Sequence, residues 1–197
     1  MDLWIRNPGL DLVKEGKRLG YRIIAAEGLN EATVIEGVKV LGKIVFELSG
    51  IEEARRLLAG SKKSGVLVSA VPLTVETARW IAHDRRVDTI VMTSRNISIF
   101  DRKQASVMKY YGKPLEVTFT EISKSGEEIV GQFARKLRLI LGKNIPVIVS
   151  SGAREIVEYQ HPMVVSSFLA KLLGLDLKTA MSLISLNPYK VVSKLGV

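Results

Sequence analysis

The feature that most constrains this chain is an alternation of short, nearly unbroken aliphatic runs with longer amphipathic ones, sustained from end to end. "VLVSAVPL" precedes "TVETARWIAHDRR", "DTIVMTS" precedes "FDRKQASVMKYYG", "LEVTFTEI" precedes "SGEEIVGQFARKLRLILG", and "IPVIVSS" precedes two closing helical patterns. Strands apolar at nearly every position are buried on both faces, and helical connections of this length join parallel neighbours by right-handed crossovers. The fold class is therefore α/β. Upstream, "MDLWI" reads as a strand, "GLDLVKEGKRLG" as a helix that Gly20 stops, and "YRIIAAE" as a strand. "ATVIEGVKVLGKIVFEL" reads as one or two strands broken around Gly42, and "GIEEARRLLAG" as a helix ending at Gly60. Roughly eight strands favour a closed barrel of mostly parallel strands with surrounding helices over an open sheet. No composition shift or charged linker divides the chain, so residues 1–197 are expected to form a single α/β barrel domain.

Twenty-nine Lys and Arg stand against 20 Asp and Glu, a formal charge of +9. Such an excess favours a polyanionic partner, nucleic acid first, although a solvated basic coat would look the same in composition. There is no cysteine, which excludes disulfides, thiolate metal sites and a cysteine nucleophile and makes an intracellular, cytoplasmic location the expectation. No run of about 18 apolar residues occurs, so no contact with a membrane is expected.

Several chemistries lack their residues. The two histidines, His83 and His161, lie far apart in different elements, so no metal site is expected. His83 suits a helix end, and His161, just before Pro162, a loop or cap. Neither G-x-x-x-x-G-K-[ST] nor G-x-G-x-x-G follows a strand, and there is no G-x-S-x-G elbow. The strand acids Asp2, Glu47 and Asp88 read as polar strand ends, and no catalytic residue is assigned.

In parallel α/β folds function gathers where strands end and helices begin. The loop "TSRNISIFDRKQ" supplies Thr93, Ser94, Arg95 and Asn96, then Arg102 and Lys103, a mixture suited to phosphate contacts; equally, Asp101 can cap the next helix and Arg95 can be merely solvated. In "SGEEIVGQFARKLRLILG" the residues Ile129, Val130, Phe133, Ala134, Leu137, Ile140 and Leu141 share one apolar face, which leaves Leu139 pointing outward beside Arg135 and Arg138. Basic pairs at Arg55 and Arg56, Lys62 and Lys63, and Arg85 and Arg86 are dispersed rather than run together, as suits a phosphate backbone tracked by a fold. Base-stacking aromatics are sparse, with Tyr110 and Tyr111 adjacent, and no stacking platform is expected.

A pattern near the end carries more. "VSSGAREIVEYQHPMVVSSFLAKLLGLDLKTAMSLISLNP" ends a strand in Ser150, Ser151, Gly152 and Ala153, passes through a charged loop, and restarts a helix at Pro162. An apolar run then ends in Leu172 to Leu175, and a helix around Ala180 follows. This resembles the C-terminal signature of the archaeal ribonuclease P protein component 3 family, relatives of a eukaryotic ribonuclease P subunit. The likeness extends over most of residues 44–190, while residues 1–43 match only in opening on a short strand.

The resemblance implies a TIM-barrel-like fold related to the metal-dependent PHP phosphoesterases, whose metal-binding histidines are missing here. It implies a non-catalytic subunit of the enzyme that removes the 5′ leader from precursor tRNA, with the catalytic centre in the ribonuclease P RNA. The chain itself would bind no cofactor, magnesium serving the RNA. Partners would be that RNA, whose catalytic domain is stabilised, and protein component 2, in a dimer of heterodimers; contact with precursor tRNA stays open. On this basis RNA contact is expected at Arg95, Arg102, Lys103 and Arg154, and partner contact at Arg135, Arg138 and Leu139. Two rivals are a phosphate-binding βα-barrel enzyme for a small molecule and a cryptic metal phosphoesterase.

Overall fold

A computed structural model describes residues 1–6 and 9–195. The elements run β1 Asp2–Ile5, α1 Leu10–Arg18, β2 Ile23–Glu27, β3 Thr33–Ile35, β4 Val38–Leu48, α2 Ile51–Leu57, β5 Val66–Pro72, α3 Val75–His83 and β6 Thr89–Val91. They continue with α4 Arg102–Tyr110, β7 Leu115–Thr118, α5 Phe119–Ser123, α6 Glu127–Gly142, β8 Val147–Ser150, α7 Pro162–Leu173, α8 Leu177–Ile184 and α9 Leu186–Val192. The strands follow the order β1-β2-β4-β5-β6-β7-β8, every neighbouring pair parallel. The chain just past β8 then returns to β1: Gly152 N donates to Trp4 O at 2.9 Å and Arg6 N to Ala153 O at 2.8 Å. The result is a nearly closed, TIM-barrel-like α/β barrel, as expected.

Two boundaries differ from the sequence-based expectation. The break in "ATVIEGVKVLGKIVFEL" falls at Glu36 (φ 53°) and Gly37 (φ 78°), where β3 turns antiparallel onto β4. Two successive positive φ angles are what a tight two-residue hairpin requires, and a Glu in that place hides the signal. Gly42 lies instead inside β4, where a Cβ would sit 2.4 Å from Leu29 O; close approach, not a turn, demands glycine there. "LEVTFTEI" ends as a strand at Thr118, because Phe119–Ser123 winds into α5 and buries Phe119 and Ile122.

Inside the barrel the layers differ in chemistry. Leu3, Ala25, Leu41, Leu67 and Ile148 fill the N-terminal end and are plugged by Val191, Val192 and Leu195 from the C-terminal segment. Trp4, Val45, Val71 and Val91 close the layer near the C-terminal ends of the strands. Between them lies a polar layer. Outside, the helices bury one large aliphatic cluster against the strands, and the α6 face is as the periodicity predicts: Phe133, Ala134, Leu137 and Ile140 are buried, with Ile129, Val130 and Leu141 packed against the same core.

Candidate nucleic-acid interface

The polar layer explains why β8 ends in hydroxyls. Lys43 Nζ donates to both oxygens of Glu116 at 2.7 and 2.9 Å, and both side chains are wholly buried. Thr89 Oγ1 donates to Glu116 Oε2 at 2.7 Å, Ser69 Oγ lies 3.2 Å from the same oxygen, and Ser150 Oγ donates to Glu116 Oε1 at 2.8 Å. Ser151 serves the other buried acid, its N and Oγ donating to Asp2 at 2.8 and 2.5 Å. Burial pushes the Lys43 ammonium below its ordinary value against the opposing pull of Glu116. Burial likewise pushes the Asp2 carboxyl up, against the bonds from Ser151 and Trp4 N. Asp2 is thus an interior anchor rather than a polar strand end, and the central acids of the barrel are held by their neighbours.

Above this layer, at the C-terminal ends of the strands, a cavity of about 310 Å³ is lined by Arg6, Thr120, Glu121, Lys124, Ser125, Gly152, Arg154 and Glu158. Gly152 (φ 69°) makes the floor possible, since a Cβ would meet Thr120 Oγ1 at 2.5 Å and Thr118 Cβ at 2.6 Å. The Arg6 guanidinium lies 4.8 Å from the centroid of the Trp4 ring. Lys124 pairs with Glu158, whose carboxyl it holds below the usual value, and Glu158 Oε2 also accepts from Arg154 N at 2.7 Å. Across this mouth the carboxylates Glu27, Glu121, Glu155 and Glu158 outnumber the cations Arg6, Lys124 and Arg154. That balance does not favour a small anionic metabolite.

Much of the polar loop after β6 is occupied in holding itself. Asn96 is buried, accepts from Thr93 N at 2.7 Å, and donates to Pro72 O at 2.9 Å and Val91 O at 3.1 Å. Ser94 donates from N and Oγ to Glu121 at 2.9 and 2.6 Å. Arg95 stays exposed and pairs with Glu47. Asp101 does cap α4, accepting from Gln104 N at 2.7 Å, and this leaves Arg102 and Lys103 exposed in its first turn. Arg102 and Lys103 stand in the first turn of α4 on the outer helical ring, whereas Arg154 lines the mouth.

The expected partner face on α6 divides too. Arg135 is exposed, but the Arg138 guanidinium donates to Leu172 O at 2.6 Å and Leu173 O at 3.2 Å, capping the end of α7, and Leu139 is half-buried, outside the set of α6 side chains that pack on the core. His161 is the N-cap of α7, its Nδ1 accepting from Met163 N at 3.1 Å. Among the described residues no group of three or more His, Cys, Asp or Glu could hold a metal ion, and no helix is long and apolar enough to cross a membrane.

Sequence reasoning missed an array at the opposite, N-terminal pole, where helices end and strands begin. Trp80 and His83 from α3 lie next to Tyr111 and Tyr110 from the end of α4, with ring centroids 5.8, 5.6 and 4.9 Å apart in succession. The spacing of Trp80 and His83 on one helix face was a legible signal; their meeting with α4 was not.

A family model described as RNase P subunit p30 matches residues 9–196. Ribonuclease P protein component 3 of Aeropyrum pernix is 30% identical over 181 residues, covering 87% of this chain and 84% of that protein. A chain in the cryo-EM structure of an archaeal ribonuclease P with mature tRNA shares the fold, with a TM-score of 0.81 at 14% identity over 96% of this chain and 89% of that one.

Proposed function

The chain belongs to the ribonuclease P subunit p30 family, and from that premise we propose that it is a protein subunit of ribonuclease P, the ribonucleoprotein that removes the 5′ leader from precursor tRNA. The observation that carries this reading is the family match over residues 9–196, on a barrel whose interior acids are engaged by Lys43, Ser69, Thr89, Ser150 and Ser151. Catalysis then resides in the RNA with its magnesium ions, and the protein acts by binding and stabilising the RNA's catalytic domain. It works with protein component 2, as a dimer of heterodimers. RNA contact falls to Arg102, Lys103 and Arg154, whose side chains carry no ion pair among the described residues, and to Arg95 where a phosphate displaces Glu47. Arg135 and the neighbouring half-buried Leu139 serve the protein partner, with Arg138 holding α7 behind them.

Cleavage of precursor tRNA at moderate magnesium by ribonuclease P RNA plus component 2, with and without this chain, tests the reading. Activity that requires all three components is the expected result. A folded chain that adds nothing to an active RNA and component 2 would overturn it.

A further inference from the structure

At the N-terminal pole the fold brings together what the sequence keeps apart. Tyr110 is 82% exposed and Tyr111 50% exposed, and they meet edge to face at an interplanar angle of 88°. His83, also exposed, packs on Tyr111 and continues the array to Trp80, which Arg86 approaches with its guanidinium 6.0 Å from the ring centroid. Arg86 is fixed by Asp84, with bonds of 3.0 and 2.7 Å. Arg85 and Lys194 line a cavity with Tyr111, and the exposed Lys109 directly precedes Tyr110 in α4; none of the three has a hydrogen-bonded or ionic side-chain partner among the described residues. That cavity, of about 290 Å³, is lined by Lys62, Arg85, Lys113 and Lys194 against the single acid Asp88, which Lys62 neutralises.

Exposed, edge-linked aromatic rings with unpaired cations beside them match single-stranded nucleic acid in both its parts: π-faces stack on rings, and phosphates follow the cations. A duplex offers the cations its backbone but keeps its bases stacked among themselves, so it leaves the rings unused. We infer that this pole binds unpaired nucleotides of an RNA, stacking bases on Tyr110 and Tyr111 and holding the adjoining phosphates with Arg85 and Lys109. The inference rests on the reading of the chain as an RNA-binding subunit and adds to it a second contact surface, remote from the mouth.

The test uses the full chain with a single-stranded RNA of about ten nucleotides carrying 2-aminopurine, beside a duplex of the same length. The expected result is 2-aminopurine quenching on binding and a preference for the single strand. Tyr110→Ala/Tyr111→Ala should weaken single-strand binding by at least about five-fold with little change in its salt slope, because no charge is removed. Tyr110→Phe/Tyr111→Phe, which keeps the rings, should bind like the parent. Arg85→Gln/Lys109→Gln should instead reduce the slope by about 1 to 1.5. Parental affinity in the Ala variant, binding without quenching, or loss of component 2 pairing with probe affinity unchanged would each overturn the inference. Precursor-tRNA cleavage separates its failure from that of the subunit reading. Restored cleavage without Tyr-dependent probe binding would sink the pole alone, and Tyr-dependent binding without restored cleavage would sink the subunit reading alone.

Discussion

At the mouth of the barrel Arg95 meets Glu47 and Lys124 meets Glu158, with Glu27, Glu121 and Glu155 close by. At the opposite pole Arg85 and Lys194 line a cavity with Tyr111, and the acids there, Asp84 and Asp88, are already paired with Arg86 and Lys62. Both regions are rich in Lys and Arg, yet the mouth is close to neutral and the pole is not. A net charge of +9 therefore says that a polyanion is attracted, not where it lands. Position is decided by which cations the fold leaves without a carboxylate.

The largest expected effect tests whether the mouth stands on a locked interior. Lys43→Met removes one partner of a wholly buried pair and leaves Glu116 uncompensated, so urea unfolding should show a loss of about 3–5 kcal/mol. The double variant Lys43→Met/Glu116→Leu should recover part of it, since it removes the unpaired charge but deprives Ser69, Thr89 and Ser150 of their common acceptor. A Lys43→Met protein as stable as the parent would show that the polar layer contributes little to holding the mouth.

A smaller effect belongs to the pole. Lys113 Nζ donates to Asp84 O at 2.9 Å and also to Val87 O, fastening the turn that carries Tyr111 to the end of α3. Burial pushes this ammonium down to about 8, with Asp88 and Asp84 opposing the shift, from an ordinary value of 10.5. Between those two values the unfolded chain binds more protons than the folded one, so stability should rise with pH across that window. The gain should be about 1–3 kcal/mol, and it is lost as pH falls through 8. Thermal melts below, within and above the window should show this rise in the parent and not in Lys113→Met. Equal pH profiles would assign the rise to other groups and weaken the picture of Lys113 as the pole's fastening.

The smallest effect compares two arginines at the mouth. If pairing decides which cations reach a phosphate, Arg154→Gln should lower the salt slope of ribonuclease P RNA binding by about 0.7–0.9, and Arg95→Gln by less. Equal losses would mean that Glu47 gives way to RNA without cost, and that an ion pair seen in the free protein does not predict which cations bind.

Periodicity revealed the strand-helix alternation and the inner face of α6, and local residue type offered caps at Asp101 and His161 as one reading among others, because each depends on residues within about one turn of one another. The Ser-Ser ending of β8 was visible as a pattern, but its purpose was not. Glu116 lies 34 positions from Ser150, and Asp2 lies 149 from Ser151. The hairpin at Glu36 was hidden because Glu seldom adopts a positive φ, and the capping of α7 by Arg138 was hidden because its acceptors, Leu172 O and Leu173 O, lie 34 and 35 positions away.

Local side-chain order thus determined the α/β class and the family signature and favoured a barrel, since helix faces and buried strands are written at periods of a few residues. Tertiary structure decided which acids neutralise which cations and which rings meet. Those outcomes depend on barrel closure, which sets side by side groups that the chain keeps dozens of residues apart.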